Sequence, residues 1–142
     1  MLLSLLSAAA LQAQGGAAKR PMTFLDAQYL RSAGAPAVSP DGKQLLYTVN
    51  TPDWKEATSQ SDIHVVATDR GVASSRQLTF TTTKNEGSPR WAPTGGWFVF
   101  TSNREAPAAS GSQQQLFMMR ADGGEARRIT NAAQGVSTFA FT

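Results

Sequence analysis

The chain lacks cysteine altogether and contains a single histidine, His64. Without thiols it can form no disulfide, no thiolate metal site and no cysteine nucleophile. A lone histidine in a strand-like segment is more often structural than catalytic, because a triad needs its base in a fixed hydrogen-bond geometry. The absence of cysteine is compatible with either redox compartment, so it does not locate the protein.

Recognisable catalytic motifs are absent as well. Gly135–Phe139 fails as a nucleophile elbow, since phenylalanine stands where Gly-x-Ser-x-Gly needs its last glycine. Gly42-Lys43 ends no phosphate loop, because Ala37 occupies the place of that motif's first glycine. Asp122–Glu125 lacks the alternating oxygen ligands of a calcium loop, and no carboxylates have the spacing of an acid–base pair. We therefore predict no catalytic, cofactor-binding or metal-binding residue in this chain.

Excess charge is small and scattered. Thirteen Lys and Arg residues against ten Asp and Glu give a net charge of +3. The densest basic pairs are Lys19-Arg20 and Arg127-Arg128, and no stripe of the kind that binds nucleic acid is present. We interpret the charge as solvated surface and expect no nucleic-acid partner.

No apolar run is long enough to cross a bilayer, which takes about twenty residues. The run Met1–Leu11 fits the h-region of a secretory signal with cleavage after Ala13, although no basic residue precedes it. We therefore predict a signal peptide at 1–13, a linker at 14–21, and a periplasmic or secreted protein without a membrane span. A buried amphipathic helix is the alternative reading of that run.

Residues 22–34 predict a lead-in helix of about ten residues. Thr23 can cap its start, with Asp26 in the position of a capping box. Gly34 is a typical helix stop. The expected apolar side consists of Leu25, Tyr29 and Leu30.

Beyond Gly34 the sequence consists of short apolar runs broken by turn residues, which indicates an all-β protein. The predicted strands are Ala35–Val38, Gln44–Asn50, Asp62–Thr68, Arg76–Thr79, Ser88–Trp91, Trp97–Ser102, Gln114–Arg120, Ala126–Thr130 and Val136–Phe141. They fall into copies of one pattern: the run 35–42, APAVSPDG, matches 88–95, SPRWAPTG, and Val136–Thr142 begins a third copy.

Four short strands per unit, at a period of about fifty residues, are typical of β-propeller blades. We predict an incomplete propeller over 35–142, with blades at about 35–82 and 88–131 and a third starting at 136–142. Because this third copy stops before its turn, we expect the parent protein to continue. The large side chains expected between blades are Trp91, Trp97, Phe98, Phe100, Phe117, Phe139 and Phe141.

Two stretches resemble a known family. The run 24–49, FLDAQYLRSAGAPAVSPDGKQLLYTV, resembles the entry into the propeller domain of prolyl oligopeptidase-type serine peptidases, particularly the acylaminoacyl-peptidase and dipeptidyl-peptidase-like group. In that family a short helix precedes a first blade with a Ser-Pro-Asp-Gly turn, here Ser39–Gly42. Ser88–Arg104 and Gln115–Thr130 look like the second blade, although its turn reads Ala-Pro-Thr-Gly.

The resemblance covers about residues 22–142 and implies a chain that performs no chemistry itself. In such peptidases the propeller covers a following α/β-hydrolase domain, which holds the catalytic Ser, Asp and His, and restricts access to short peptides. It implies the substrate-gating propeller of an exported serine peptidase whose catalytic domain is absent from this chain, with no cofactor. TolB-type periplasmic propellers carry similar turns, so a non-enzymatic module that binds protein partners stays open, as does a free-standing carbohydrate- or ligand-binding propeller.

Overall fold

The computed structural model of the chain describes residues 19–105 and 113–142. The predicted signal peptide and most of the predicted linker lie outside these residues. Helix α1 spans Phe24–Gln28 and precedes eight strands. The strands are β1 Ser32–Val38, β2 Gln44–Asp53, β3 Thr58–Ala67, β4 Arg76–Gln77, β5 Glu86–Trp91, β6 Trp97–Ser102, β7 Gln115–Arg120 and β8 Arg127–Arg128.

The strands form two antiparallel four-stranded sheets, each running in chain order. We call β1–β4 the first sheet and β5–β8 the second sheet. The prediction of an all-β fold is confirmed, and neither sheet closes on itself. In both sheets the fourth strand is only two residues long.

The repeat seen in the sequence is reproduced in the hydrogen-bond register. Leu46 pairs with Val65 in the first sheet, and 53 positions later Val99 pairs with Met118 in the second. Both sheets also carry a bulge at the same place in their first strand, where Ala35 has φ 46° and Ser88 has φ 49°. Left-handed backbone at a residue with a side chain is uncommon, so its recurrence marks a duplicated local structure.

The predicted turns between first and second strands are present and alike. The Gly42 N–H donates to the Ser39 carbonyl at 2.9 Å, and the Gly95 N–H donates to the Ala92 carbonyl at 2.9 Å. Both glycines have φ above 70°, which a residue with a Cβ adopts only with strain. The first turn is further held by Asp41, whose carboxylate accepts from the Ser39 hydroxyl at 2.6 Å. The second turn forms without that carboxylate.

One apolar cluster joins the two sheets. Its members are alternate residues of the strands, so each sheet contributes a single face. The cluster consists of Leu46, Ile63, Val65, Leu78, Trp91, Phe98, Phe100, Phe117, Met119 and Ala121. Polar contacts close its edge: the Ser61 hydroxyl donates to the Glu86 carbonyl at 2.7 Å.

The predicted helix is wrong in length. The capping box of Thr23 and Asp26 forms, but the helix ends at Gln28. Gly34 lies within β1, where it pairs with Thr48, because the ladder with β2 supplies hydrogen bonds that a helix at this place would forgo. The predicted apolar side of the helix is not buried, since no residue of α1 is buried.

Two further predictions are wrong. Val136–Phe141 forms no strand, because no described strand runs alongside to complete its ladder. Trp97 and Phe141 do not fill the core: their exposed fractions are 39% and 41%. Trp97 instead stacks under the guanidinium of Arg120, 5.4 Å from its ring centroid.

Candidate functional site

A cleft of about 560 Å³ lies where the first strands of the two sheets meet. One wall is β1, another is β5, and Phe141 closes one side. The residues lining it are Ala35, Pro36, Ala37, Val38, Pro40, Ser88, Pro89, Arg90, Trp91 and Phe141. We call it the first-strand cleft. Three of its lining residues are prolines, its exposed surface is more polar than apolar, and Arg90 is the only charged residue among the described residues that line it.

Trp91 fixes the geometry between the two walls. Its indole N–H donates to the Ala37 carbonyl at 2.8 Å, while its ring is 8% exposed and packs near Phe98. A tryptophan whose N–H reaches a partner can be buried without leaving an unsatisfied donor. The sequence reading that placed Trp91 in the core is correct, and its polar role emerges only from the structure.

Arg90 is the residue of this cleft that sequence reasoning missed. It is exposed, and its guanidinium lies 5.7 Å from the ring centroid of Phe139. A signal was available: the repeat aligns Arg90 with Ala37, so one copy carries a cation where the other carries a methyl group. A cation at the rim of this cleft can attract carboxylates or peptide carbonyls.

A second cleft, of about 770 Å³, lies at the tip of the β2–β3 hairpin. Tyr29, after α1, meets Trp54 of the hairpin edge to face, with 6.5 Å between ring centroids. Thr51, Thr58 and Ser59 contribute hydroxyl groups to the same walls. The aromatic contact ties the lead-in segment to the first sheet. The charged residues that line this cleft, among those the structure describes, are Arg31, Asp53, Lys55 and Glu56.

A buried ion pair sits at the start of β5 and was not singled out from the sequence. Glu86 is fully buried, and the Arg104 guanidinium donates to its carboxylate at 2.9 Å. The hydroxyls of Thr81 and Ser102 also donate to it, each at 3.2 Å. Burial raises the pKa of Glu86, and the charge of Arg104 opposes that rise.

Arg104 completes that network by stacking on aromatic rings. Its guanidinium lies 5.2 Å from the ring centroid of Phe100 and 5.0 Å from that of Phe117. Because the Glu86 carboxylate is fully buried and no buried polar side-chain atom of the described residues lacks a partner, we interpret the pair as a structural element.

His64 lies on β3, as alternation predicts, and has no catalytic neighbour. Its ring stacks on Tyr47 at 5.4 Å between centroids. Burial lowers the pKa of His64, with Asp62 opposing and Arg31 reinforcing that direction. No serine or cysteine hydrogen-bonds to it among the described residues, so the part of the chain in view offers no nucleophile–base pair.

The described ranges 19–105 and 113–142 contain neither a metal site nor a membrane-spanning helix. No group of three or more His, Asp or Glu side chains there could hold a metal ion. In the same ranges no helix has the length and hydropathy to cross a bilayer. That the chain has no catalytic, cofactor-binding or metal-binding residue therefore remains a prediction from the sequence.

Two proteins that are named as peptidases are similar in sequence to this chain. No family model matches it. It is 33% identical over 120 residues to the uncharacterized peptidase YuxL of Bacillus subtilis, covering 84% of this chain and 17% of that protein. It is 25% identical over 109 residues to dipeptidyl-peptidase 5 of Porphyromonas endodontalis, covering 77% of this chain and 14% of that protein.

Solved structures extend the likeness. A structure described as a TolB of Agrobacterium tumefaciens matches with a TM-score of 0.50 and 28% identity, over 73% of this chain and 31% of that one. The AtxE2 isopeptidase without ligand matches with a TM-score of 0.64 and 17% identity, over 83% of this chain and 21% of that one, which is a likeness of fold. The chain spans about a sixth of the length of the peptidase-named relatives.

Proposed function

We propose that this chain is the first part of a substrate-gating β-propeller in an exported prolyl oligopeptidase-type serine peptidase that acts on short peptides. The observation that carries the proposal is the relationship to two proteins named as peptidases, over 84% and 77% of the chain. In this proposal the hydrolase domain stands outside the chain, and the described residues contribute access control rather than chemistry.

The duplicated sheets supply the physical basis for a propeller. Here four-stranded sheets pack face to face with a repeated register, and the first strand of one sheet lies beside the first strand of the next. Adding further sheets in the same relative orientation generates a ring. In such a ring the first strands face the axis, so the first-strand cleft becomes part of the channel wall. Proline and alanine side chains line this wall, and Arg90 places a cation on it.

Gating by this wall predicts an effect of Arg90 on substrate choice. In the full-length product of the parent reading frame, Arg90→Glu should change kcat/KM for acidic against basic peptides in opposite directions and leave hydrolysis of a small ester unchanged. As a control, Lys55→Glu at the tip of the β2–β3 hairpin makes the same charge change away from the first-strand cleft. Equal effects of both substitutions would contradict the gating role.

Activity assays test the peptidase assignment itself. The 142-residue chain should hydrolyse no aminoacyl or dipeptidyl chromogenic substrate, whereas the full-length product should do so and should lose activity to a serine-directed phosphonate. If the reading frame continues with further repeats but encodes no Gly-x-Ser-x-Gly elbow, the peptidase proposal fails.

The alternative function is a non-enzymatic TolB-like propeller that binds protein partners in the periplasm. The likeness to the TolB structure, at 28% identity, favours keeping it. Export is common to both proposals and depends on the segment 1–13. Intact-mass measurement in a secreting host should show a product that begins after Ala13, and a product that retains Met1 would contradict export.

A further inference from the structure

Two side chains on one wall of the first-strand cleft are without a polar partner. Ser88 and Arg90 on β5 are both exposed, and the buried Pro89 lies between them, so the two polar side chains point to the same side of the strand. Within the described residues, neither side chain has a hydrogen-bond or ion-pair partner. This wall therefore carries a hydroxyl and a guanidinium that are available to a ligand.

The charge and position of Arg90 favour an anionic ligand. Its guanidinium lies 5.7 Å from the ring centroid of Phe139, a contact that restrains the side chain and leaves its N–H groups unpaired. A planar guanidinium presents its N–H donors as a fork that matches the two oxygens of a carboxylate. No Asp or Glu belongs to the described lining of the cleft, so a carboxylate would meet no like charge there.

The opposite wall has the same backbone but different side chains. In the repeat, Ala37 on β1 occupies the place of Arg90, and both strands carry the bulge described above. Ala35 likewise occupies the place of Ser88, so methyl groups stand where β5 has its donors. Val38 extends this wall with a side chain that is 60% exposed. The cleft thus has hydrogen-bond donors on one side and apolar side chains on the other.

Both walls are edge strands whose backbone is open to an extended ligand. Among the described strands, β1 pairs only with β2 and β5 only with β6. The free edge of such a strand offers carbonyl and N–H groups to a peptide backbone. In the proposed propeller, further sheets pack against the faces of the sheets present, whereas the first strands border the central channel. The cleft therefore stays open to a peptide in that channel.

We propose that the first-strand cleft binds the C-terminal end of a short peptide. Arg90 and Ser88 donate hydrogen bonds to the terminal carboxylate, and the β1 wall contacts an apolar side chain on the last residue of the peptide. The inference rests on the proposed function, because it takes its ligand class from a peptidase that acts on short peptides. It adds which end of the peptide the cleft recognises and which residue type is preferred there.

Titration of the isotope-labelled 142-residue chain with peptides, followed by NMR, tests the proposal. The probe is acetyl-Gly-Gly-Leu with a free carboxylate, and the matched control is the same peptide as its carboxamide. The acid should shift the backbone amides of Ser88 and Arg90 and the indole N–H of Trp91, which also lines the cleft. It should bind about tenfold more tightly than the amide, the usual effect of a charge-assisted hydrogen bond.

Substitutions assign this preference to its residues. Arg90→Gln should weaken binding of the acid about tenfold and leave that of the amide unchanged, because it removes the charged fork and keeps a polar side chain. Arg90→Lys should retain part of the preference, since it keeps the charge without the planar fork. As a control, Lys55→Gln removes a cation at the β2–β3 hairpin tip, outside this cleft, and should change neither affinity.

Two further peptides separate the possible sources of recognition. Acetyl-Gly-Gly-Gly with a free carboxylate lacks the apolar side chain and should bind more weakly than the leucine acid. Acetyl-Gly-Glu-Gly carboxamide carries its carboxylate on a side chain and should bind no better than the neutral amide. Equal binding of this peptide and the leucine acid would show that the cleft accepts any carboxylate, which would overturn the C-terminal assignment.

Other results would also overturn the proposal. If acid and amide bind equally, or if millimolar acid shifts none of these resonances, the cleft is no carboxylate site. A preference that survives Arg90→Gln would place the site elsewhere. Because binding is measured without hydrolysis, these outcomes leave the peptidase proposal intact. A full-length product that binds the acid but cleaves no peptide would instead refute the proposed function alone.

Discussion

The two sheets have the same topology and register, yet they differ in how fully they are buried. The central strands of the second sheet present Phe98, Phe100 and Phe117 to the shared core, all at most 1% exposed. The matching positions of the first sheet hold Leu45, Tyr47 and His64, all half-buried. The comparison teaches that a repeat can preserve backbone geometry while neighbouring sheets decide what each face contributes to stability.

The largest expected difference between the two sheets is the loss of stability when an aromatic ring of the core is removed. Phe100→Ala should lower the free energy of unfolding by about 4 kcal/mol, because it removes a buried aromatic and leaves a cavity. Tyr47→Ala, its copy in the first sheet, should cost about 1 kcal/mol, since its ring is already partly in water. Urea denaturation of both variants measures the difference, and equal losses would contradict the assignment of faces.

The second-largest expected effect on stability comes from the buried ion pair, which only the second sheet has. Glu86 lies where the first sheet has Ala33, so the first sheet carries no buried charge at that place. Glu86→Ala should cost about 3 kcal/mol, because Arg104 is left without its carboxylate. Glu86→Gln retains an acceptor oxygen for these donors while removing the charge, and should lose less. A denaturation midpoint unchanged by Glu86→Ala would show that the pair contributes nothing to stability.

In each sheet, a threonine just after the fourth strand accepts a hydrogen bond from the third strand through its hydroxyl. Thr79 accepts from the Ile63 N–H at 2.9 Å, and Thr130 accepts from the Leu116 N–H at 2.9 Å. Thr79→Val should cost about 2 kcal/mol, because it strands a buried N–H without a partner. Thr130→Val should cost about 0.5 kcal/mol, since the half-buried edge admits water. Thermal unfolding of the pair checks this ratio, and the reverse order would refute it.

Much of this comparison was predictable from sequence, and some was not. The 53-residue offset of the Pro-x-Gly turns predicted both sheets, because turn chemistry is local and is visible in Pro40 and Gly42. The end of α1 at Gln28 was not predicted, since pairing between β1 and β2 overrode the stop signal of Gly34. The Glu86–Arg104 pair could not be read from the sequence, because it depends on which faces of the two sheets meet.

The smallest expected effect is a pH dependence confined to the first sheet. Burial lowers the pKa of His64 below its ordinary value of about 6.5. As the pH falls below about 6.5, the unfolded chain takes up this proton before the folded chain does, so stability should decline with acidification. Asp62 and Arg31 are the charged groups that act on His64. The raised pKa of Glu86 acts in the opposite direction, since the folded chain then binds its proton first.

A single substitution separates these two opposed contributions. His64→Phe installs the residue that the second sheet carries at the matching Phe117 and removes the titrating ring. Chemical denaturation at pH 7.5 and at pH 5.5 should show a smaller loss of stability on acidification in the variant than in the wild type, with Glu86 common to both. An equal loss in both proteins would mean that His64 is as solvated in the folded chain as in the unfolded one. The face of the first sheet that carries Tyr47 and His64 would then be more exposed to water than its half-buried side chains indicate.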